Sequence, residues 1–232
     1  MESQLYQRRL KQFVEEVTVY PVSCDKLSNG RGDRQWLDEV LKGGARVVQL
    51  RDKESGDREL LAKARYFREK TREANVLFFL NDRLDIALLA DADGMHVGQK
   101  DLPPEAIRKL APEMIIGLSC NSHEHAAALG REVAAGSSPV SYFNIGPLYS
   151  TKTKDGLQSF LGPQAITEFS NLCPLPFTVM GGIKLEHVAE VTSMGGRRIA
   201  VVTAISQAGD MAEATRLWNA AITAQLEGGT VK

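Results

Sequence analysis

The feature that most restricts what this chain can fold into is an alternation repeated along its length. Short runs rich in Val, Ile, Leu and Phe are each followed by a stretch whose apolar residues recur at helical spacing. The strand-like runs fall at 17–23, 45–52, 76–82, 94–98, 114–120, 140–146, 176–182 and 198–205. The helical stretches fall at 33–44, 57–75, 83–91, 103–111, 122–136, 163–172, 185–196 and 211–228. Local signals agree with these limits. Gly43 and Gly44 stop the first helix and Asn75 ends the second. Pro103 and Pro104 open the fourth, and Ser122 stands at the N-cap of the fifth. Runs such as "VLFFL" lack polar alternation, as strands covered on both faces do. Eight β–α units in 232 residues specify an α/β fold of the (β/α)8 TIM-barrel type. An open doubly wound sheet shares the alternation and is the alternative. No linker or low-complexity segment divides the chain, so it reads as a single barrel domain over 1–232, with 1–16 a helical extension that closes the bottom.

Composition excludes several classes of function. The 28 Lys+Arg nearly balance the 29 Asp+Glu, so bulk charge draws the chain to neither nucleic acid nor an anionic membrane. No apolar run approaches the ~20 residues that span a bilayer. The start, "MESQLYQRRLKQFVEEV", is amphipathic and charged and has no signal-peptide core. The expectation is a cytoplasmic protein that works on small molecules, with a homo-oligomer left open. Cys24, Cys120 and Cys173 are odd in number and scattered, which suits neither a disulfide framework nor a CxxC metal site.

In a barrel, chemistry sits at the C-terminal ends of the strands. The second strand ends in Gln49, Arg51 and Lys53, whose alternation lets them point one way. The third ends in Asn81 and Asp82. The fourth carries His96 and runs into Gln99 and Asp101, and the fifth ends at Ser119 and Asn121. Asp82 and Asp101 on adjacent strand tips suit a hard divalent cation. Mg²⁺ is usually held by one or two carboxylates, waters and phosphate oxygens, and Mn²⁺ accepts the same donors. The simpler reading is that Asp82 caps the next helix and Asp101 precedes the Pro103 helix. Arg51, Lys53, Lys152 and Lys154 are the cations, Arg as a bidentate fork and Lys as a mobile point charge. The loop "YSTKTKDG" is long and rich in hydroxyls, as a substrate-covering loop would be. Gly181-Gly182 and Val202-Thr203 stand where barrels bind phosphate through backbone N–H groups. His96 reads as a packed strand residue rather than a catalyst. His123 and His125 are two apart on a helix and do not face one metal. Cys120 has no evident base to make it a nucleophile. The residues alone lead to a barrel with a Mg–pyrophosphate site and a second phosphate site, fit for a group transfer in which pyrophosphate leaves.

The segments "VVQLRDK", "LNDRLDIALLADADGMHVGQKDL", "IIGLS", "IGPLYSTKTK", "MGGI" and "IAVVTAIS", in this order, closely resemble the thiamine phosphate synthase (thiamine-phosphate pyrophosphorylase) family. The resemblance runs over residues 45–207. It implies a Mg²⁺-dependent transferase on a (β/α)8 barrel. Such an enzyme joins hydroxymethylpyrimidine diphosphate to a thiazole phosphate, or its carboxylated form, giving thiamine phosphate and pyrophosphate. It further implies that the run Gln49, Leu50, Arg51, Asp52 and Lys53, with Asn81, binds the pyrimidine diphosphate. Asp82 and Asp101 would carry the metal. Ser119 and Lys154 would meet the pyrimidine diphosphate or the departing pyrophosphate, acting with Arg51 and Lys53 in catalysis. Thr151, Lys152 and Thr153 would bind the thiazole substrate, and Gly182, Val202 and Thr203 its phosphate. The implied mechanism is dissociative, and it needs stabilised leaving-group charge more than a base.

The sequence departs from the family wording in places. Thr203 stands where serine is common, and Lys152 where proline is frequent. Residues 121–140 differ after the serine, and 1–44 match only loosely, so neither stretch is given a role. A thiazole tautomerase on the same barrel, or a non-catalytic phosphate-binding barrel, would not need Lys53, Asn81, Asp82, Asp101 and Lys154 together.

Overall fold

Neighbouring side chains on one strand go to two different cores. On β3 (Leu77–Asn81), Leu77 and Phe79 pack inside the barrel, while Phe78 and Leu80 pack outward against the helices. Period-two geometry sends alternate residues to opposite faces, and both faces are covered, so the run is apolar throughout. The computed structural model describes residues 3–150 and 160–228. Across it the same division recurs on β1 (Val19–Pro21), β2 (Val47–Leu50), β4 (Gly94–Val97), β5 (Ile115–Cys120), β6 (Tyr142–Ile145), β7 (Phe177–Met180) and β8 (Ile199–Val201). All pairs are parallel, in the order β1-β8-β7-β6-β5-β4-β3-β2. The ring closes where Val22 bridges Gln49: Ser23 N donates to the Gln49 carbonyl at 2.9 Å, and Val22 N to that of Val201 at 2.9 Å. The alternation therefore closes into the (β/α)8 barrel and not into an open sheet.

The helices lie between the strands in the expected order. They are α1 (Gln4–Glu16), α2 (Asp33–Lys42), α3 (Asp57–Glu73), α4 (Leu84–Leu89), α5 (Pro104–Leu110), α6 (His123–Ala134), α7 (Ala165–Leu172), α8 (Val188–Ser193), α9 (Thr203–Ser206) and α10 (Met211–Gly228). The Ser122 hydroxyl caps α6 by accepting from His125 N at 3.3 Å. Pro104 opens α5 at a position that needs no N–H.

α1 is the floor of the barrel. Phe13 is fully buried among the inward residues, with its ring 4.6 Å from Tyr142 and 5.6 Å from Phe79. Arg198, just before β8, donates to the carbonyls of Phe13 (3.0 Å) and Val14. Asp93, before β4, accepts from Phe78 N at 2.9 Å and pairs with Arg9 and Arg68, tying α1 and α3 to the bottom of the sheet.

One sequence boundary is corrected. The run 198–205 reads as a strand throughout, but β8 stops at Val201 and Thr203–Ser206 form the helical turn α9. Leaving the sheet there puts Val202 and Thr203 on the rim of the mouth.

Candidate active site

A cavity of about 200 Å³ opens at the C-terminal ends of the strands. Every strand delivers residues to it: Val22 follows β1, Gln49 and Arg51 come from β2, and Asn81 and Asp82 from β3. His96, Gly98 and Asp101 come from β4 and its loop, and Ser119 and Asn121 from β5. Asn144, Gly146 and Pro147 come from β6, Gly181 and Gly182 from β7, and Val202 and Thr203 from β8. Of the residues singled out in the sequence, Gln49, Arg51, Lys53, Asn81, Asp82, Asp101, Ser119, Gly182, Val202 and Thr203 meet on this one cavity. Thr151, Lys152, Thr153 and Lys154 lie outside the described residues.

Leu50 and Asp52 do not line the cavity. Leu50 is outward on β2 and 1% exposed among the helices. Asp52 turns away as well: its carboxylate accepts from the backbone of Glu54 (2.9 Å) and Ser55 (3.0 Å) and from Lys63 Nζ (2.7 Å). Lys63 also pairs with buried Asp33 at 3.2 Å. Burial alone would push the Asp52 carboxyl up, but the Lys63 ammonium and these N–H donors outweigh it and hold it below the usual carboxylate range. Asp52 thus fixes the start of the β2–α3 loop. Its side chain, expected among the substrate-binding residues, is engaged by the loop and Lys63. The period of two accounts for both residues, because it points them away from Gln49, Arg51 and Lys53.

The acidic side of the mouth is built by a backbone turn. Asp82 takes φ = 60°, a left-handed conformation that Asp and Asn tolerate better than most residues. Its N–H donates to the carbonyl of His96 at 2.9 Å. Lys53 Nζ lies 3.1 Å from Asp82 Oδ2. Burial pushes the Asp82 carboxyl above its ordinary value; Lys53 opposes the rise, and the negative charge of Asp101 adds to it. Asp101 Oδ2 accepts from Gly98 N at 2.7 Å, which folds the β4–α5 loop over the mouth. Two facing carboxylates, one of them destabilised by the other, are a donor pair that a hard divalent cation relieves. The residues therefore fit Mg²⁺ with waters and phosphate oxygens completing its shell. Among the described residues no group of three His, Cys, Asp or Glu converges on one point, so no all-protein cage is built.

The opposite side is built by glycines. Gly181 and Gly182 have φ of 98° and 64°, which favour glycine. A Cβ on Gly181 would fall 2.4 Å from Pro147 Cβ, and one on Gly182 would fall 2.3 Å from the Ser150 carbonyl oxygen. The β6–α7 connection packs directly on this turn, with Tyr149 N donating to the Gly181 carbonyl at 2.9 Å. The result is half-buried backbone lining the same cavity as Val202 and Thr203, suited to an anion.

His96 departs from its sequence reading as mere packing. Its Nε2 lies 2.9 Å from Ser119 Oγ and its Nδ1 lies 3.0 Å from the Tyr142 hydroxyl. Gln99 Nε2 donates to the Ser119 carbonyl at 2.7 Å, fixing the backbone that carries the serine. Asn144 was not singled out from sequence; it accepts from Thr178 Oγ1 at 2.8 Å and lines the cavity. Its signal was a lone amide inside the apolar run "YFNIG". Cys120 faces outward into the core, away from the cavity, and burial pushes its thiol up to about 12.

The chain is similar to known proteins over most of its length. The chain is 38% identical to the thiamine-phosphate synthase of Pelotomaculum thermopropionicum over 90% of its own length and 93% of that protein. It is 35% identical to the synthase of Moorella thermoacetica over 88% of its length and 95% of the relative's. Among solved structures, thiamine phosphate pyrophosphorylase from Pyrococcus furiosus superposes with a TM-score of 0.80 at 29% identity, covering 94% of this chain and 99% of that one. A 3-hexulose-6-phosphate synthase superposes at 0.60 with 17% identity, a likeness of fold alone. The family description for thiamine monophosphate synthase matches residues 19–205. On the strength of that match and of relatives this similar over nearly their whole length, the chain belongs to the thiamine monophosphate synthase family.

Proposed function

We propose that this transferase joins hydroxymethylpyrimidine diphosphate to a thiazole phosphate, forming thiamine phosphate and pyrophosphate. The carrying observation is that one cavity has a half made of Arg51, Lys53, Asp82 and Asp101 and another made of Gly181, Gly182 and Thr203. The first half suits a diphosphate, the second a monophosphate on a separate molecule.

In this reading the thiazole nitrogen forms a bond to the pyrimidine methylene, and the bond from that carbon to the diphosphate oxygen breaks. The electron pair leaves with pyrophosphate. Arg51 and Lys53 hold its oxygens, and Asp82 and Asp101 would hold Mg²⁺, which when bound neutralises charge on the same oxygens. Lys53 is already paired with Asp82, so the ammonium is aimed at the diphosphate side before substrate arrives. Gln49, Asn81 and Ser119 orient the pyrimidine. Gly182, Val202 and Thr203 seat the thiazole phosphate, Thr151, Lys152 and Thr153 bind the thiazole substrate, and Lys154 meets the pyrimidine diphosphate or the departing pyrophosphate. No step needs a base. Mixing the purified protein with both substrates and Mg²⁺ tests the reading. Thiamine phosphate that forms only without chelator supports it. Binding of thiazole phosphate without product would move the assignment to a tautomerase or a binding protein.

A further inference from the structure

The middle of the barrel holds an unbroken file of polar side chains whose inner members, Tyr20, Tyr142 and His96, no step above uses. Gln49 Nε2 donates to the Tyr20 hydroxyl at 2.7 Å. The Tyr20 and Tyr142 hydroxyls are 3.3 Å apart. Tyr142 meets His96 Nδ1 at 3.0 Å, and His96 Nε2 meets Ser119 Oγ at 2.9 Å. Both tyrosines are buried, at 2% and 0% exposure, and their rings are enclosed by Phe13 and Phe79. The path is made possible by Gly117: a Cβ there would lie 2.4 Å from the Tyr142 hydroxyl oxygen. Both ends of the file, Gln49 and Ser119, line the cavity.

Such a file has a direction. A phenol that accepts one proton still has its own to give, and a neutral imidazole has one N–H and one acceptor nitrogen. The distances alone fit either sense for the Tyr20–Tyr142 and Tyr142–His96 bonds; with each hydroxyl spending its proton within the file, the Gln49 bond sets Tyr20 to donate to Tyr142 and Tyr142 to His96 Nδ1. That leaves the imidazole proton on Nε2, given to Ser119, whose own proton then faces the cavity. In a dry interior each bond polarises the next, so reversing one reverses all.

We infer that His96, with Tyr142 and Tyr20, is a positioning residue that makes Ser119 a hydrogen-bond donor to the substrate by carrying the sense of the Gln49 bond across the barrel. Gln49 and Ser119 then read a heteroaromatic ligand as one unit, and a ring whose acceptor faces Ser119 is favoured over one that offers it a donor. The identity of that ring as the pyrimidine rests on the reaction proposed above.

The test has two arms. Histidine ¹⁵N spectra of the substrate-free protein report the tautomer directly, and the chain has four histidines to resolve. His96 is expected as the Nε2–H form, and Tyr142→Phe, which keeps the ring and removes the hydroxyl, is expected to lose that preference. An Nδ1–H form or an even mixture in the unaltered protein overturns the inference, and so does a variant whose His96 nitrogens are unchanged. The second arm is kinetic. Tyr142→Phe should raise KM for the pyrimidine diphosphate about tenfold and leave KM for the thiazole phosphate within about twofold. An equal rise in both marks a merely structural role and also overturns it. If Tyr142→Phe does not fold, Tyr20→Phe takes its place in both arms. The spectroscopic arm needs no turnover, so failure of the reaction assignment and failure of the relay are distinguishable.

Discussion

The ammonium of Lys53 lies 3.1 Å from Asp82 Oδ2, and that carboxylate is held in the left-handed region of the backbone at a strand tip. The pair places opposite charges where a diphosphate and a divalent cation would each replace one partner. Lys53→Ala removes a cation from the leaving group and the counter-charge from Asp82. It is expected to lower kcat/KM by about 10²-fold or more, measured as pyrophosphate release at saturating thiazole phosphate.

Asp82 gives a prediction about pH and metal. Its folded carboxyl titrates above its ordinary value, because of burial first and Asp101 next. Between the unfolded and folded values the native state therefore binds more protons than the unfolded state. Stability is greatest below the unfolded value and falls as pH rises through the folded one. At neutral pH the ionised Asp82 is a cost, so Asp82→Asn should raise the melting temperature by about 2–4 °C per kcal/mol relieved for a chain of this size, while activity is lost. Mg²⁺ with pyrophosphate should raise the melting temperature of the unaltered protein but not that of Asp82→Asn. Scanning calorimetry with and without chelator checks both statements.

Asp101 is exposed, so its loss should cost little fold stability. Asp101→Ala is expected to abolish turnover with a stability change within about 1 kcal/mol. Asp101→Asn can still accept from Gly98 N, which now meets Asp101 Oδ2 at 2.7 Å, but loses the charge. If both variants are inactive at every Mg²⁺ concentration, the charge matters. If Asn restores turnover, the residue serves the loop alone.

Gly182→Ala places a methyl 2.3 Å from the Ser150 carbonyl oxygen and strains a φ of 64°. Thiazole phosphate affinity should fall at least about tenfold, with the pyrimidine diphosphate little affected, as equilibrium titration of each ligand would show.

Lys63 holds together carboxylates that the barrel has partly removed from water. Its Nζ is 2.7 Å from Asp52 and 3.2 Å from Asp33, each side chain 2% exposed. Lys63→Met should destabilise by about 3–5 kcal/mol, read from urea unfolding. Because Asp52 is held below the usual carboxylate range, its contribution is present above its unfolded value and is lost as pH falls through the folded one. The unaltered protein should therefore weaken on acidification below about pH 4.

How much of this was legible in the sequence follows from the range of the signals. The strands and the alternation of Gln49, Arg51 and Lys53 are local patterns of period two, and they read directly. The same period assigns Leu50 and Asp52 to the outer face, where Asp52 meets a lysine 11 residues away. The end of β8 is not legible because "VVTAI" is β-branched and apolar, a composition that says nothing about where the sheet stops holding it. His96 looked like packing because its partners, Ser119 and Tyr142, lie 23 and 46 residues further along and meet it only once β4, β5 and β6 align. Pairing across strands is what a single-strand pattern omits.

The floor of the barrel has a consequence for the order of assembly. Phe13 on the opening helix is sealed by Arg198, whose bond to its carbonyl closes a span of 185 residues. Ordering the two ends of so long a loop must precede the reward of the contact. A nascent chain halted before residue 198 therefore holds its first helix only by its earlier ties, such as Arg9 to Asp93. Closure of the barrel, in which β8 pairs with both β1 and β7, is therefore an event of late synthesis.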